Sequence, residues 1–194
     1  MEIYELDHGI QFQGVQTKPR SIRVMGKLGF DQQMDENLRV RLTGSLYTTK
    51  HSASNTLYSG DRGGSRYYDV LENVASTETA NAWSGAIQSG MRNMVTAFVV
   101  NPFVKVGGVE LFGNIETMTG AAANEASRRT LRQVAAEGLY RFASDKLYLG
   151  GRYNTAKGEL VGIANDITIN RSQLGGGWYV TPNVLAKLEV VKQS

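Results

Sequence analysis

Two histidines, His8 and His51, and no cysteine leave this chain of 194 residues few groups for nucleophilic or metal chemistry. Zinc and haem sites draw on clustered His and Cys ligands, so no metal and no cofactor is expected. Ser52 stands beside His51, the base that a serine nucleophile would need, but neither lies in a strand-to-helix turn of the kind that presents a nucleophile. Glu110 and Glu116 share one parity of an extended segment. That spacing sets them roughly 20 Å apart, beyond the about 5–9.5 Å of paired glycosidase carboxylates. Gly60 to Gly64 is glycine-rich but lacks the Gly-Lys-Ser/Thr ending of a phosphate loop. The expectation is no catalytic residue and no enzyme.

Charges at alternating positions are the remaining candidates. Arg23, Lys27, Arg39, Arg41, Lys105, Arg141, Arg152, Arg171 and Lys187 fall on the same parity as Glu5, Asp7, Asp31, Glu110, Glu116, Glu137 and Glu189. On a soluble sheet this would be a solvated face. In a pore it is a lining, where rings of one sign set ion preference. The near balance of signs gives at most a slight anion lean. The pore-lining candidates are Arg39, Arg41, Lys105, Glu116, Glu137, Arg141, Arg152, Arg171, Lys187 and Glu189. Asp61, Arg62 and Arg66 are candidates for a loop that narrows the passage.

What must position these charges is a set of strands with period-two alternation. The clearest segment is Leu38 to Thr49, with Leu38, Val40, Leu42, Gly44 and Leu46 on one face and Arg39, Arg41, Thr43, Ser45 and Tyr47 on the other. Similar alternation marks the segment from Ile22, Met94 to Val106, Val109 to Thr117, Thr130 to Phe142, Leu147 to Thr155, Ile167 to Val180, and the segment after Asn183. With a less regular first strand over Glu2 to Gly14, about nine strands are expected, near the roughly 9–11 residues that a tilted spanning strand needs. Ala121 to Val134 is alanine-rich, and propensity alone would let a helix begin there. Gly175-Gly176-Gly177 inside a strand predicts a bend against an aromatic such as Trp178.

The connections also alternate. Turns at Met34, Gly107, Ser144 and Thr181 are tight, and those after Gly14, Thr49, Thr119 and Ala156 are longer. A membrane barrel has short periplasmic turns and longer outer loops, an ordering that a soluble sandwich does not require. Phe30, Tyr140, Phe142 and Trp178 have the apolar parity beside the tight turns, as an interfacial girdle demands. The stretch 50–93 lacks alternation and predicts a long extracellular or constriction loop.

Composition fits this reading. Mean hydropathy is −0.28 and no apolar run approaches the roughly 18 residues of a membrane helix, yet barrel strands leave no such signature. A net charge of +3 is spread without a basic block, so no nucleic-acid partner is expected. The absence of cysteine suits an oxidising envelope.

Four stretches carry a family likeness: Tyr58 to Tyr68, Asn101-Pro102-Phe103-Val104-Lys105, Leu147 to Leu160 and Gly175 to Glu189. They resemble the porin-like outer-membrane barrels of Gram-negative bacteria, similar in kind to the phosphate-selective porin O and P group. The resemblance implies an all-β, antiparallel up-and-down transmembrane barrel in a bacterial outer membrane, passing small polar solutes or ions. Its partners would be the lipid bilayer, those solutes and, since trimers are common in the class, further copies of the chain. Such barrels end on a strand with an aromatic last residue, whereas this chain ends Lys192-Gln193-Ser194. The expectation is one barrel domain over 1–194, lacking early strands and a closing strand. The alternative is a surface barrel that binds a partner through its long loops without conducting.

Overall fold

The computed structural model describes residues 2–4, 21–52, 89–163 and 165–194. Alternating side chains drive each long segment into extended backbone, and tight turns fold each back on its neighbour. The elements are β1 (Glu2–Tyr4), β2 (Arg23–Gln33), β3 (Leu38–Thr49), β4 (Met94–Val106), β5 (Val109–Ala121), β6 (Arg129–Phe142), β7 (Leu147–Gly158), β8 (Ile167–Thr181) and β9 (Val184–Gln193). They form one sheet in chain order, and every neighbouring pair is antiparallel. This is an up-and-down wall with no crossover.

The segment 121–134 contains no helix. Ala121 ends β5, a turn follows, and Arg129 begins β6. Pairing with the strands on either side overrides the alanine propensity, because a strand interior satisfies its backbone groups on both edges. Most strands also run a few residues beyond the alternating core, into β5 as far as Ala121 and β7 as far as Gly158. Of the expected first strand, Glu2–Tyr4 pairs with β2, and the rest lies outside the described residues.

The register separates two faces. Leu42 pairs with Phe30 and Pro102, Val100 with Ile115, Ile115 with Val134, Tyr140 with Leu149, and Leu174 with Val190. These and their same-parity neighbours form a continuous apolar outer face. Its large side chains are open: Leu28 is 85% exposed, Leu174 62% and Leu188 77%. A soluble monomer rarely leaves apolar patches beyond a few hundred Å² uncovered. This face requires a hydrocarbon environment.

The band has edges. Toward the long connections it gives way to Thr48, Thr96, Thr119 and Thr130, where the hydroxyl pairs Thr48–Thr96 and Thr119–Thr130 lie 3.0 and 3.3 Å apart. Toward the tight turns it ends in Phe30, Tyr140, Phe142 and Trp178, all exposed, with Tyr140 and Phe142 stacked at 5.6 Å. On β6 the apolar stretch from Val134 to Phe142 runs roughly 27 Å. At a strand tilt near 40° it is about 21 Å tall, close to the about 25 Å band of outer-membrane barrels.

The tight turns all lie at one end. In the β4–β5 turn Gly107 takes φ +55°, a left-handed conformation that suits glycine. A Cβ on Gly108 would collide with the Arg141 carbonyl oxygen, and the Gly108 carbonyl accepts the Arg141 amide at 2.8 Å. Gly107 has open space around it, whereas Gly108 is pressed against β6. Replacing Gly107 with alanine should therefore cost about 1 kcal/mol of backbone strain. Gly108→Ala should cost roughly 2 kcal/mol, because the edge of β6 must shift. Urea midpoints of the refolded chain in detergent micelles test this order, and a larger loss for Gly107→Ala would contradict the close approach.

Candidate functional site

The second face of the wall carries the chemistry. Every pore-lining candidate lies on it: Arg39 and Arg41 on β3, Lys105 on β4, Glu116 on β5, Glu137 and Arg141 on β6, Arg152 on β7, Arg171 on β8, and Lys187 and Glu189 on β9. Strand parity puts them there, since each is separated from the outward residues by one position. Asp61, Arg62 and Arg66 lie outside the described residues, as does most of the 50–93 stretch.

The charges form chains of contacts across strands. Arg39 donates twice to Asp31, from Nε at 2.9 Å and from Nη2 at 2.6 Å. Arg41 lies over the Phe103 ring, 4.9 Å from its centroid. Glu110 takes Arg141 at 3.2 Å on one side and Lys105 at 3.6 Å on the other. Arg152 approaches Glu137 to 3.7 Å, and Lys187 meets Glu189 at 2.6 Å, where Gln173 also donates at 2.7 Å. Solvent-accessible pairs of this kind add little stability. Their consequence is electrostatic: they line the face with matched, hydrated charge.

Nearer the long connections the inner face changes character. Tyr47, Val95, Ala97, Met118 and Leu131 are buried there with Met91, which is 1% exposed and comes from the chain that leads into β4. A Cβ on Gly120 would meet Met91 Cβ at 3.1 Å, so the absence of a side chain lets residues 89–93 lie against β5.

Arg129 holds this end together. Its guanidinium donates to both Glu125 carboxylate oxygens, at 2.7 and 2.9 Å, and to the Glu159 carbonyl at 3.0 Å. The Ala122 amide donates to the same carboxylate at 2.6 Å. One buried arginine thus ties the β5–β6 connection to the β7–β8 connection, and the Gly90 backbone packs beside it. Alternation does not reveal this residue, since Arg129 precedes the alternating core of β6. The Glu125/Arg129 spacing of four residues is the one sequence cue.

The serine–histidine reading has no geometric support. Ser52 Oγ accepts from Arg23 Nη2 at 2.7 Å, and the His51 amide donates to Ser21. Among the described residues no group of three or more His, Cys, Asp and Glu could hold a metal ion. No helix among them is long and apolar enough to cross a membrane. The Gly175–Gly177 expectation needs correction: the partner is Tyr148, whose ring lies over Gly177, while Trp178 points outward from the next position.

No protein-family profile and no curated protein sequence matches the chain. Solved structures do. OmpT of Vibrio cholerae, an outer membrane protein folded in vitro, matches in its trimer form with a TM-score of 0.54 at 14% identity, over 89% of this chain and 46% of that one. A second structure of OmpT matches with a TM-score of 0.54 at 15% identity, over 90% and 46%. Its loop L8 deletion mutant matches with a TM-score of 0.51 at 16% identity, over 90% and 50%.

The fold is that of an outer-membrane β-barrel wall. The chain spans about half the length of the structures it matches. A bacterial outer membrane agrees with these neighbours and with the apolar outer face. The narrower likeness to the phosphate-selective O and P group gains no support from them.

The expectation that the chain is not an enzyme does not stand. Its neighbours at 14–16% identity share a barrel fold that does not fix function.

Glu125 lies outside the spanning strands, and its carboxyl is held below its ordinary value of 4.5. The hydrogen bond from Arg129 is the main cause, burial opposes it, and the Ala122 amide adds to the lowering. A lowered folded value means that the contribution to stability is present above about pH 4.5 and is lost as pH falls through the lower folded value. Thermal midpoints between pH 6 and pH 3 should fall further for the native chain than for Glu125→Gln. Parallel curves would contradict the role given to this pair.

Proposed function

We propose that this chain forms the wall of an outer-membrane channel through which small polar solutes or ions diffuse. The observation that carries the reading is the segregation of the two faces. One is apolar and exposed, and the other bears hydrated charges from β2 to β9. A wall buried on its inner side would not keep such charges wet, because unpaired charge in a closed core is costly. In this reading Arg39, Arg41, Lys105, Glu116, Glu137, Arg141, Arg152, Arg171, Lys187 and Glu189 line the passage.

Among the described residues β9 has a strand on one side only and β2 pairs with β1 over Arg23–Met25 alone, so the remaining edge groups need partners that hydrocarbon cannot supply. The reading therefore includes strand partners along both edges that close the barrel. The same reading gives the stretch 50–93, with Asp61, Arg62 and Arg66, the role of a narrowing loop. The inward packing of Met91 at the end of that stretch supports this assignment.

The same apolar cluster favours a second reading, a barrel that is filled at its outer end and binds a partner through its loops. Planar-bilayer recordings on the closed barrel, with strand partners along both edges of this wall, separate the two. Discrete conductance steps are expected, with a reversal potential near zero or slightly anion-selective in a salt gradient. Inserted protein that carries no current would overturn the channel reading and favour the binding one.

A further inference from the structure

We infer that the inner wall of β6–β9 holds a subsite for a neutral polyhydroxylated ring of monosaccharide size. Gly150 and Gly175 are register partners on β7 and β8, and both point inward. Together they leave a floor of bare backbone beneath a hollow of about 270 Å³. Small-ligand sites begin near roughly 300 Å³, so this one holds a single ring.

The walls of the hollow are mixed, with Leu139 on β6 beside Gly150 as the apolar side chain and charged or amide groups around it. Glu137 and Arg152 stand on one side, and Gln173, Lys187 and Glu189 on the other. At the turn end the Tyr148 ring lies over Gly177, with Tyr179 tilted against it at 6.4 Å.

The charges decide the class of ligand. Arg152 faces Glu137, and Lys187 faces Glu189, so each cation already has its anion. A charged solute would have to displace a partner of its own sign. A polyol need not, because its hydroxyls both donate and accept. The carboxylates have about four acceptor sites each and the guanidinium five donors, and these contacts use only part of them. The heads stay partly exposed, from 31% at Glu189 to 52% at Lys187. Tyr148 offers an apolar ring at the rim for the C–H face of a sugar. The subsite rests on the lumen reading only in that solutes reach it from water.

Saturation-transfer NMR of D-glucose against the full chain refolded in detergent micelles tests the proposal without any current being measured. A saturable signal in the millimolar range is expected, weakened at least tenfold by Arg152→Met and by Gly175→Val. Since Gly175→Val adds bulk close to the Leu188 carbonyl, Arg152→Met is the variant that keeps the test independent of folding. Glycine, a zwitterion, should fail to displace the sugar at equal concentration. Displacement by glycine, a signal that does not saturate, or equal binding by Arg152→Met would overturn the assignment. Glucose binding by a chain that conducts nothing would uphold the subsite and remove the channel. Conductance without glucose binding would do the reverse.

Discussion

Backbone hydrogen bonding in hydrocarbon is the constraint on which everything else in this molecule depends. A peptide group without a partner costs several kcal/mol in a bilayer, which leaves helices and closed sheets as the only spanning solutions. The strands from β3 to β8 answer this constraint with an antiparallel partner on each edge, in a register interrupted at Asn101–Pro102 and at the irregularity between Tyr179 and Thr181. Once the backbone is satisfied, side-chain parity is the only freedom left. It divides lipid from lumen residue by residue.

That division explains why so much charge can sit in a membrane-spanning sheet. Arg41 lies one position from Leu42, yet one side chain meets Phe103 across the inner face while the other joins Phe30 and Pro102 on the outer face. The inner charges are partly exposed and weakly paired, so they add little to the fold, and in the channel reading they shape the field of the lumen. Stability at the loop end is organised differently. There Arg129 is buried and held by Glu125 and the Glu159 carbonyl, and the apolar cluster around Met91 and Val95 packs as a soluble core would.

The strand order, the facing of β2 to β9 and the girdle at the tight turns were legible in the sequence, because period-two alternation and turn residues encode them directly; β1 was not, since Glu2 and Tyr4 pair with Met25 and Arg23 of the inner face, the parity opposite to that of Glu5 and Asp7. Leu38 to Thr49 shows this most clearly, since its predicted limits match β3. The floor made by Gly150 and Gly175 was not legible, because glycines become a hollow only when register sets two of them side by side. Nor was the Tyr148–Gly177 contact, which crosses two strands, or the Arg129 node, which joins connections distant in sequence. Trp178 was a plausible partner for the glycines until parity sent it to the opposite face. Chemistry beyond the fold lies further from the sequence still, and neighbours at 14–16% identity carry the architecture alone.

Accessibility along β6 in a bilayer tests the facing assignment most directly. The chain has no cysteine of its own, so single cysteines spin-labelled at successive positions from Gln133 to Phe142 report without background. The account predicts collisions with lipid-soluble oxygen at Val134, Ala136 and Tyr140, and with a water-soluble nickel chelate at Gln133, Glu137 and Arg141, alternating at every residue. Two profiles that rise and fall together, or a chelate maximum at Val134, would contradict it.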